Sequence, residues 1–419
     1  MKMTLAQKIL QGHTDEQITE AGQIVNCRVS MVLANDVTSP MAISSLLEMG
    51  TEQVFDKDRV ALVMDHFTPQ KDIASAIQVK FTRDFAHKHN ITHYYEGGDC
   101  GVEHALLPEL GLVGPSDIVV GADSHTCTYG GLGAFATGLG STDVAGAMAL
   151  GETWFKVPPT IKVTFNGKMP AWVGGKDLVL WLIGQIGVDG ALYKALEFHG
   201  PVVDEMSVEG RMTVANMVIE AGGKCGLFAA DHKTLEYTKT AGRTGDKAIS
   251  ADPGAEYERE INFDVSSLTP LIACPHLPEN VHPVDEVKDI RLNQVVIGSC
   301  TNGRISDLRE AADVLKGKQV DKSVRCIVLP ATPKIWKQAL DEGLISTFMD
   351  SGCIVGPATC GPCLGGHMGI LADGEKALAT TNRNFRGRMG SLESEVYLSN
   401  PAVAAASAIA GEIIHPAKI

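Results

Sequence analysis

The sequence predicts an α/β protein of three domains, and three observations predict it. Short apolar, β-branched runs alternate with amphipathic stretches from one end of the chain to the other, as strands and helices do when they pack in layers. The loops after those runs carry Gly, Asp, Ser and His, so polar chemistry collects where strands end. Two proline-rich breaks divide the 419 residues into three stretches, each within the roughly 100–200 residues of a single domain.

The first stretch, 1–159, offers strands at Val60–Met64 and Asp117–Gly121 with a helical pattern at Ile73–His87 between them. A Gly-rich turn over Tyr129–Gly140 follows, and Pro158-Pro159 then breaks the chain. The second, 160–285, opens on a strand at Ile161–Phe165 and continues with helical patterns at Lys176–Ile186 and Thr213–Ala221. It closes on Cys274–Pro283, where three prolines in ten residues read as a linker or extended crossover. The third, 286–419, has strands at Gln294–Ile297, Arg325–Leu329 and Lys376–Thr380, with helices at Ser306–Lys316 and Pro333–Glu342.

Composition narrows the classes of function. At 44% hydrophobic and 21% charged the chain buries a large core, which excludes disorder or a fibrous repeat. Its longest apolar run, Leu178–Val188, is about half the ~20 residues that span a bilayer, so no membrane is expected. The opening MKMTLAQKILQGHTDEQ has neither a signal-peptide core nor an Arg-rich transit character, which predicts a cytoplasmic location. The net charge of −14 argues against nucleic acid as a partner, because phosphate neutralisation needs a Lys/Arg surplus. A small anionic ligand remains open, since a few buried arginines outweigh the global field locally.

Ten cysteines are too few for a disulfide scaffold in a reducing compartment, which leaves buried thiols or a metal site. Cys360-Gly361-Pro362-Cys363 is the one CxxC pair, set in a Gly/Pro-rich stretch, Gly356–Gly369, that excludes a helix. Cys300 follows a strand-like run sixty residues upstream. Three thiolates of this kind suit an iron–sulfur cluster with one iron left open, whereas an electron-carrying cluster uses four. Structural zinc is the competing reading, with Cys353 completing a set of four. Spacing alone leaves both standing.

Two acid–histidine groups follow strands: Asp65-His66, and Asp123-Ser124-His125-Thr126. A carboxylate beside a histidine fixes its tautomer and stabilises the imidazolium, as a general acid requires. An exposed loop is the plain alternative for either one alone. Near the C-terminus, Asn382-Arg383-Asn384-Phe385-Arg386-Gly387-Arg388 packs three arginines into six residues directly after a strand. That is either an exposed basic turn or a fork for a dicarboxylate.

Taken together, Ser299-Cys300-Thr301-Asn302, the CxxC pair, Asp123–Thr126 and Asn382–Phe385 with Gly387-Arg388 resemble the aconitase superfamily of [4Fe–4S] hydro-lyases. The matches run in family order over nearly the whole chain. The resemblance implies three α/β domains of the aconitase type packed around an iron–sulfur cluster. It implies that Cys300, Cys360 and Cys363 hold a [4Fe–4S] cluster whose fourth iron meets substrate. Asp65 and His66 match the family's acid pair, and His104, Asp123, His125 and Glu220 match further catalytic positions. Asn35, Asp36, Ser124 and Asn216 match substrate-side polar residues, and Arg383 and Arg388 match the arginines that hold the substrate carboxylate.

One departure sharpens the resemblance. Full-length aconitases carry a fourth, swivelling domain whose Gly-Ser-Ser-Arg type segment supplies a serine base, and this sequence contains no such segment. It is therefore similar to the large subunits of the two-subunit branch: the 3-isopropylmalate dehydratases of leucine biosynthesis, the homoaconitases, and the dimethylmalate and maleate or citraconate enzymes. The implied partners are a small subunit bearing the swivelling domain with its serine, and a hydroxy-dicarboxylate substrate. Outside this class stand a zinc-stapled structural subunit and an RNA-binding apo-protein, the latter disfavoured by the charge.

Overall fold

Apolar strands buried on both faces dictate parallel sheets covered by helices, and two parallel sheets and a third, mixed one organise the computed structural model, which describes residues 2–419. In the first, the strands run in the spatial order His93–Tyr95, Val60–Val63, Met31–Asn35, Ile118–Gly121 and Phe135–Gly138, all parallel. In the second, Cys225–Phe228, Ala195–His199, Thr160–Asn166 and Arg259–Asp264 are again parallel. The third has seven strands, with Gln294–Gly298 between Lys376–Ala379 and Arg325–Leu329 and parallel to both. A small antiparallel pair, Ile24–Arg28 with Glu152–Lys156, ties the two ends of the first region together.

The strands expected from the sequence are present to within a residue at most ends, and so is the helix Ile73–Lys88. Asp72 caps that helix by accepting the backbone N–H of Ser75 at 2.8 Å. Three local expectations are corrected. The helical pattern at Thr213–Ala221 divides into a helix, Val208–Asn216, and a separate 3₁₀ turn, Val218–Ala221. Ser207 moves the helix start upstream by capping Gly210 N–H at 3.1 Å. The proline-rich stretch before residue 283 is no free linker, because Val281–Pro283 pairs antiparallel with Leu271–Ala273 at the edge of the third sheet, where proline is tolerated. The Gly-rich turn near residue 130 is a series of 3₁₀ turns over Ser124–Leu132 leading into the strand Phe135–Gly138.

Close backbone approach explains the glycines there. A Cβ on Gly130 would lie 1.7 Å from Gly226 O, and one on Gly131 would lie 2.6 Å from Met212 N. Only glycine lets the turn that carries Asp123–His125 seat against the second sheet and its helix. The second and third sheets also share one apolar core, in which Ile161, Phe165 and Leu178 pack with Val296, Ala379 and Leu398. The second and third sheets are thus packed against each other, and strand ends of the first and third meet at one cavity. Among the described residues no helix is long and apolar enough to cross a membrane.

Candidate active site and metal centre

In the first sheet the strand order reverses between Met31–Asn35 and Ile118–Gly121, and open α/β sheets place their sites outside the carboxyl ends of strands at such a point. Asp36, Asp65-His66 and Asp123–His125 all leave carboxyl ends there. The third sheet reverses between Gln294–Gly298 and Lys376–Ala379, and its strand ends deliver Ser299-Cys300 and Thr380–Asn382 to the same cavity. Ser299 adopts φ 77, a left-handed conformation that a side chain other than glycine's disfavours by about 1 kcal/mol. The turn it makes aims Cys300 inward.

Cys300, Cys360 and Cys363 line one cavity. Two amides point at Cys300 Sγ: Asn216 Nδ2 at 3.2 Å and Asn382 Nδ2 at 3.3 Å. The Arg388 guanidinium lies 3.9 Å from Cys363 Sγ. Burial, reinforced by the neighbouring Cys363, pushes the Cys300 thiol up to about 11. Burial likewise raises Cys360, although His66 opposes it. Converging buried thiols with amide and guanidinium donors aimed at sulfur form a set suited to thiolates on iron, where N–H···S contacts offset negative charge. Cys353 does not complete a zinc set; its thiol faces Cys326 in the core of the third sheet. The residues present therefore fit a cluster held by three cysteines.

Acids and histidines form the opposite wall. His66 Nδ1 lies 2.6 Å from Asp65 Oδ1 and 3.6 Å from Asp36 Oδ1, while Nε2 lies 4.0 Å from Asp123 Oδ2. Burial pulls this imidazole down, but Cys360, Asp65 and Asp36 outweigh it and leave it well above its usual range. His104, between Asp123 Oδ1 at 3.0 Å and Tyr129 Oη at 3.2 Å, is held low by burial despite its acid partner. His125 Nε2 meets Glu220 Oε1 at 2.9 Å, and Arg383 Nε donates to that same oxygen at 2.7 Å. Burial raises Glu220, but those two partners more than reverse it. Glu103 is pushed well up by burial and by Asp65 and Asp123. One cavity thus holds groups pushed toward opposite protonation states, as acid–base chemistry requires.

The residues expected from the sequence take four kinds of place. The three cysteines, Asp65, His66, His104, Asp123, His125 and Arg388 face the cavity. Asn216, Glu220 and Arg383 stand directly behind it, linked to its wall by the hydrogen bonds above. Asn35 and Asp36 are fully buried and lie off the wall. Asn35 donates to Glu103 Oε1 at 2.9 Å, and Asp36 accepts the backbone N–H groups of His66 and Phe67 at 3.0 and 2.7 Å. They shape the loops on which the histidine rides. Ser124 lines a neighbouring cleft with Trp154, Tyr193 and Lys224. Of the arginine trio, Arg386 is exposed and pairs outward with Glu393. Sequence reasoning passed over Glu103 and Asn382. Their signals were adjacency to His104 and a place in the motif before Arg383.

Residues 7–411 match the model of the aconitase family (aconitate hydratase). The "3-isopropylmalate dehydratase large subunit" of Nitratidesulfovibrio vulgaris (strain DSM 19637 / Miyazaki F) is 77% identical over 419 residues, 100% of both chains. The protein of the same name from Oleidesulfovibrio alaskensis is 79% identical over 416 residues, 99% of both chains. Among solved structures, holo aconitase X of Thermococcus kodakaraensis aligns with a TM-score of 0.52 over 90% of this chain and 88% of its own, at 13% identity, a likeness of fold alone. With a family model matched over residues 7–411 and relatives matched end to end, the chain belongs to the aconitase family.

Proposed function

We propose that this chain is the cluster- and substrate-binding large subunit of a two-subunit [4Fe–4S] hydro-lyase that interconverts 2- and 3-isopropylmalate by dehydration and rehydration. The observation that carries the reading is the single cavity in which Cys300, Cys360 and Cys363 face Asp65-His66, His104, Asp123 and His125. Full-length relatives bearing that enzyme's name supply the substrate. In this reading the three domains divide near residues 159 and 285, with the cluster cysteines in the third. The cluster, when bound, supplies a Lewis-acidic iron that helps a hydroxyl depart.

The chain's own residues do the rest. Asp65 and Asp36 hold the His66 ring by Nδ1 and leave Nε2 turned toward Asp123 and the cavity, where it protonates a leaving oxygen. Arg388 has its Nε buried without a partner among the described residues, a free edge for one oxygen of a carboxylate. Arg383, held by Glu220 behind the wall, adds positive charge to the site for a second anionic group. Neither arginine removes a proton from carbon, so the reading assigns that step to the serine of the small subunit.

The test is turnover of 3-isopropylmalate after anaerobic reconstitution with iron and sulfide. Activity is expected from the large and small subunits together and not from this chain alone. Full turnover by the chain alone would overturn the division of labour. Preference for homoaconitate, dimethylmalate or citraconate by the pair would overturn the substrate.

A further inference from the structure

Lys176 is out of place by every local rule. It sits in the first turn of the helix Gly175–Ile186, where the macrodipole disfavours a cation, and the residue is only 1% exposed. The residue beside it, Asp177, does not pair with it. Asp177 accepts the backbone N–H groups of Gly174 and Leu271 at 2.8 Å each and the Asn400 amide at 2.9 Å. Lys176 Nζ instead reaches across to the third sheet, donating to Thr380 O at 2.9 Å and to Thr381 O.

Those carbonyls belong to the strand end that builds the site. Thr380 Oγ1 bonds both Gly298 N–H at 2.9 Å and Gly298 O at 3.0 Å, two residues before Cys300. Asn382 then donates to Cys300 Sγ, and Arg383 to Glu220. Burial drives the Lys176 ammonium down to about 7, and the strongest pulls back up come from the thiols of Cys300 and Cys363. A buried cation needs a compensating anion, and thiolates carrying a cluster are that anion.

We infer that Lys176 is a positioning residue of this site. Its ammonium clamps the Thr380 and Thr381 carbonyls, sets Asn382 against Cys300, and places a fixed positive charge beside the cluster. The inference rests on the reading that the three cysteines hold a cluster. Losing a positive charge in a low-dielectric interior favours the more oxidised cluster, so the reduction potential falls.

The experiment compares the full-length wild type with Lys176→Met, Lys176→Gln and Lys176→Arg after anaerobic reconstitution, reading the reduction potential by EPR-monitored titration. The Met and Gln variants are expected at more negative potential than wild type, with Arg restoring most of the shift. Loss of cluster uptake by Met and Gln, rescued by Arg, supports the same role. A wild-type potential in Met or Gln, or an Arg variant shifted as far as Met, overturns it. So does failure of all three to fold, which would make Lys176 a packing residue only. Absence of an iron–sulfur signal from the wild type would instead defeat the cluster reading.

Discussion

At the scale of single residues, the site depends on a few side chains with no adequate substitute. Cys360→Ser replaces a soft thiolate with a hydroxyl that binds iron poorly. Anaerobic reconstitution of that variant is expected to lose most of the broad visible absorption that wild type shows. An unchanged spectrum would remove Cys360 from the ligand set. Arg388→Lys keeps the charge but loses the planar fork. In the reconstituted pair it should raise KM for the dicarboxylate by about 10-fold or more, roughly the 1.5–3 kcal/mol of a charged hydrogen bond. A KM unchanged with kcat intact would move carboxylate binding elsewhere. The motif residues were legible from the sequence because their types are chemically restricted. Asn35 and Asp36 were legible only through the family resemblance, and nothing in their spacing separates a group that touches substrate from one that braces a loop.

At the scale of elements, helix ends and buried ion pairs fix where the site's supports lie. Asp231 caps the helix His232–Thr240 by accepting Thr234 N–H at 3.1 Å, and it pairs at 2.6 Å with Arg211, whose side chain is 1% exposed. Partial burial works against the Asp231 carboxylate, but Arg211 and the cap overcome it and bring it down to about 2. The folded value lies below the ~3.9 of an unfolded aspartate, so the pair's stabilisation is present above about pH 4 and is lost as pH falls toward 2. Asp231→Asn keeps a capping side chain but leaves Arg211 unpaired, which should cost on the order of 2 kcal/mol at neutral pH. Its Tm should also fall less than wild type between pH 4 and 2, both read by thermal denaturation. Asp231→Ala should cost about 1 kcal/mol more through the lost cap. Periodicity did not single out that helix, but it located Ile73–Lys88, Gly175–Ile186, Ile305–Leu315 and Pro333–Asp341 to within a residue at each end, because burial of one face imposes it. It misplaced the start of the helix before Asn216, where Ser207 decided the boundary rather than the apolar pattern.

For the whole molecule, the cavity is assembled from segments between residues 65 and 388, drawn from different sheets. A ligand that bridges them should stabilise them together, by RT ln(1 + [L]/Kd) for a group that binds only the folded chain. Cluster reconstitution is expected to raise the Tm of wild type by several degrees and leave that of Cys360→Ser unmoved. Equal Tm values with and without cluster would show that the segments are already locked. The acidic balance of −14 predicts no tight binding to an RNA stem-loop at about 150 mM salt. A filter-binding assay checks it, and tight retention would contradict the charge argument.

The sequence by itself determined the fold class and the family, because those rest on residue types and order that survive without coordinates. Alternating apolar runs can be satisfied only by layered strands and helices, and four motifs in one order admit few alternatives. Tertiary structure alone decided which polar residues face the cavity and which stand behind it. It also brought Lys176 to a strand end more than two hundred residues away in the chain, and it turned Cys353 away from the other three thiols. Distance in space between residues far apart in sequence is set by how sheets pack against one another, and no local spacing encodes that.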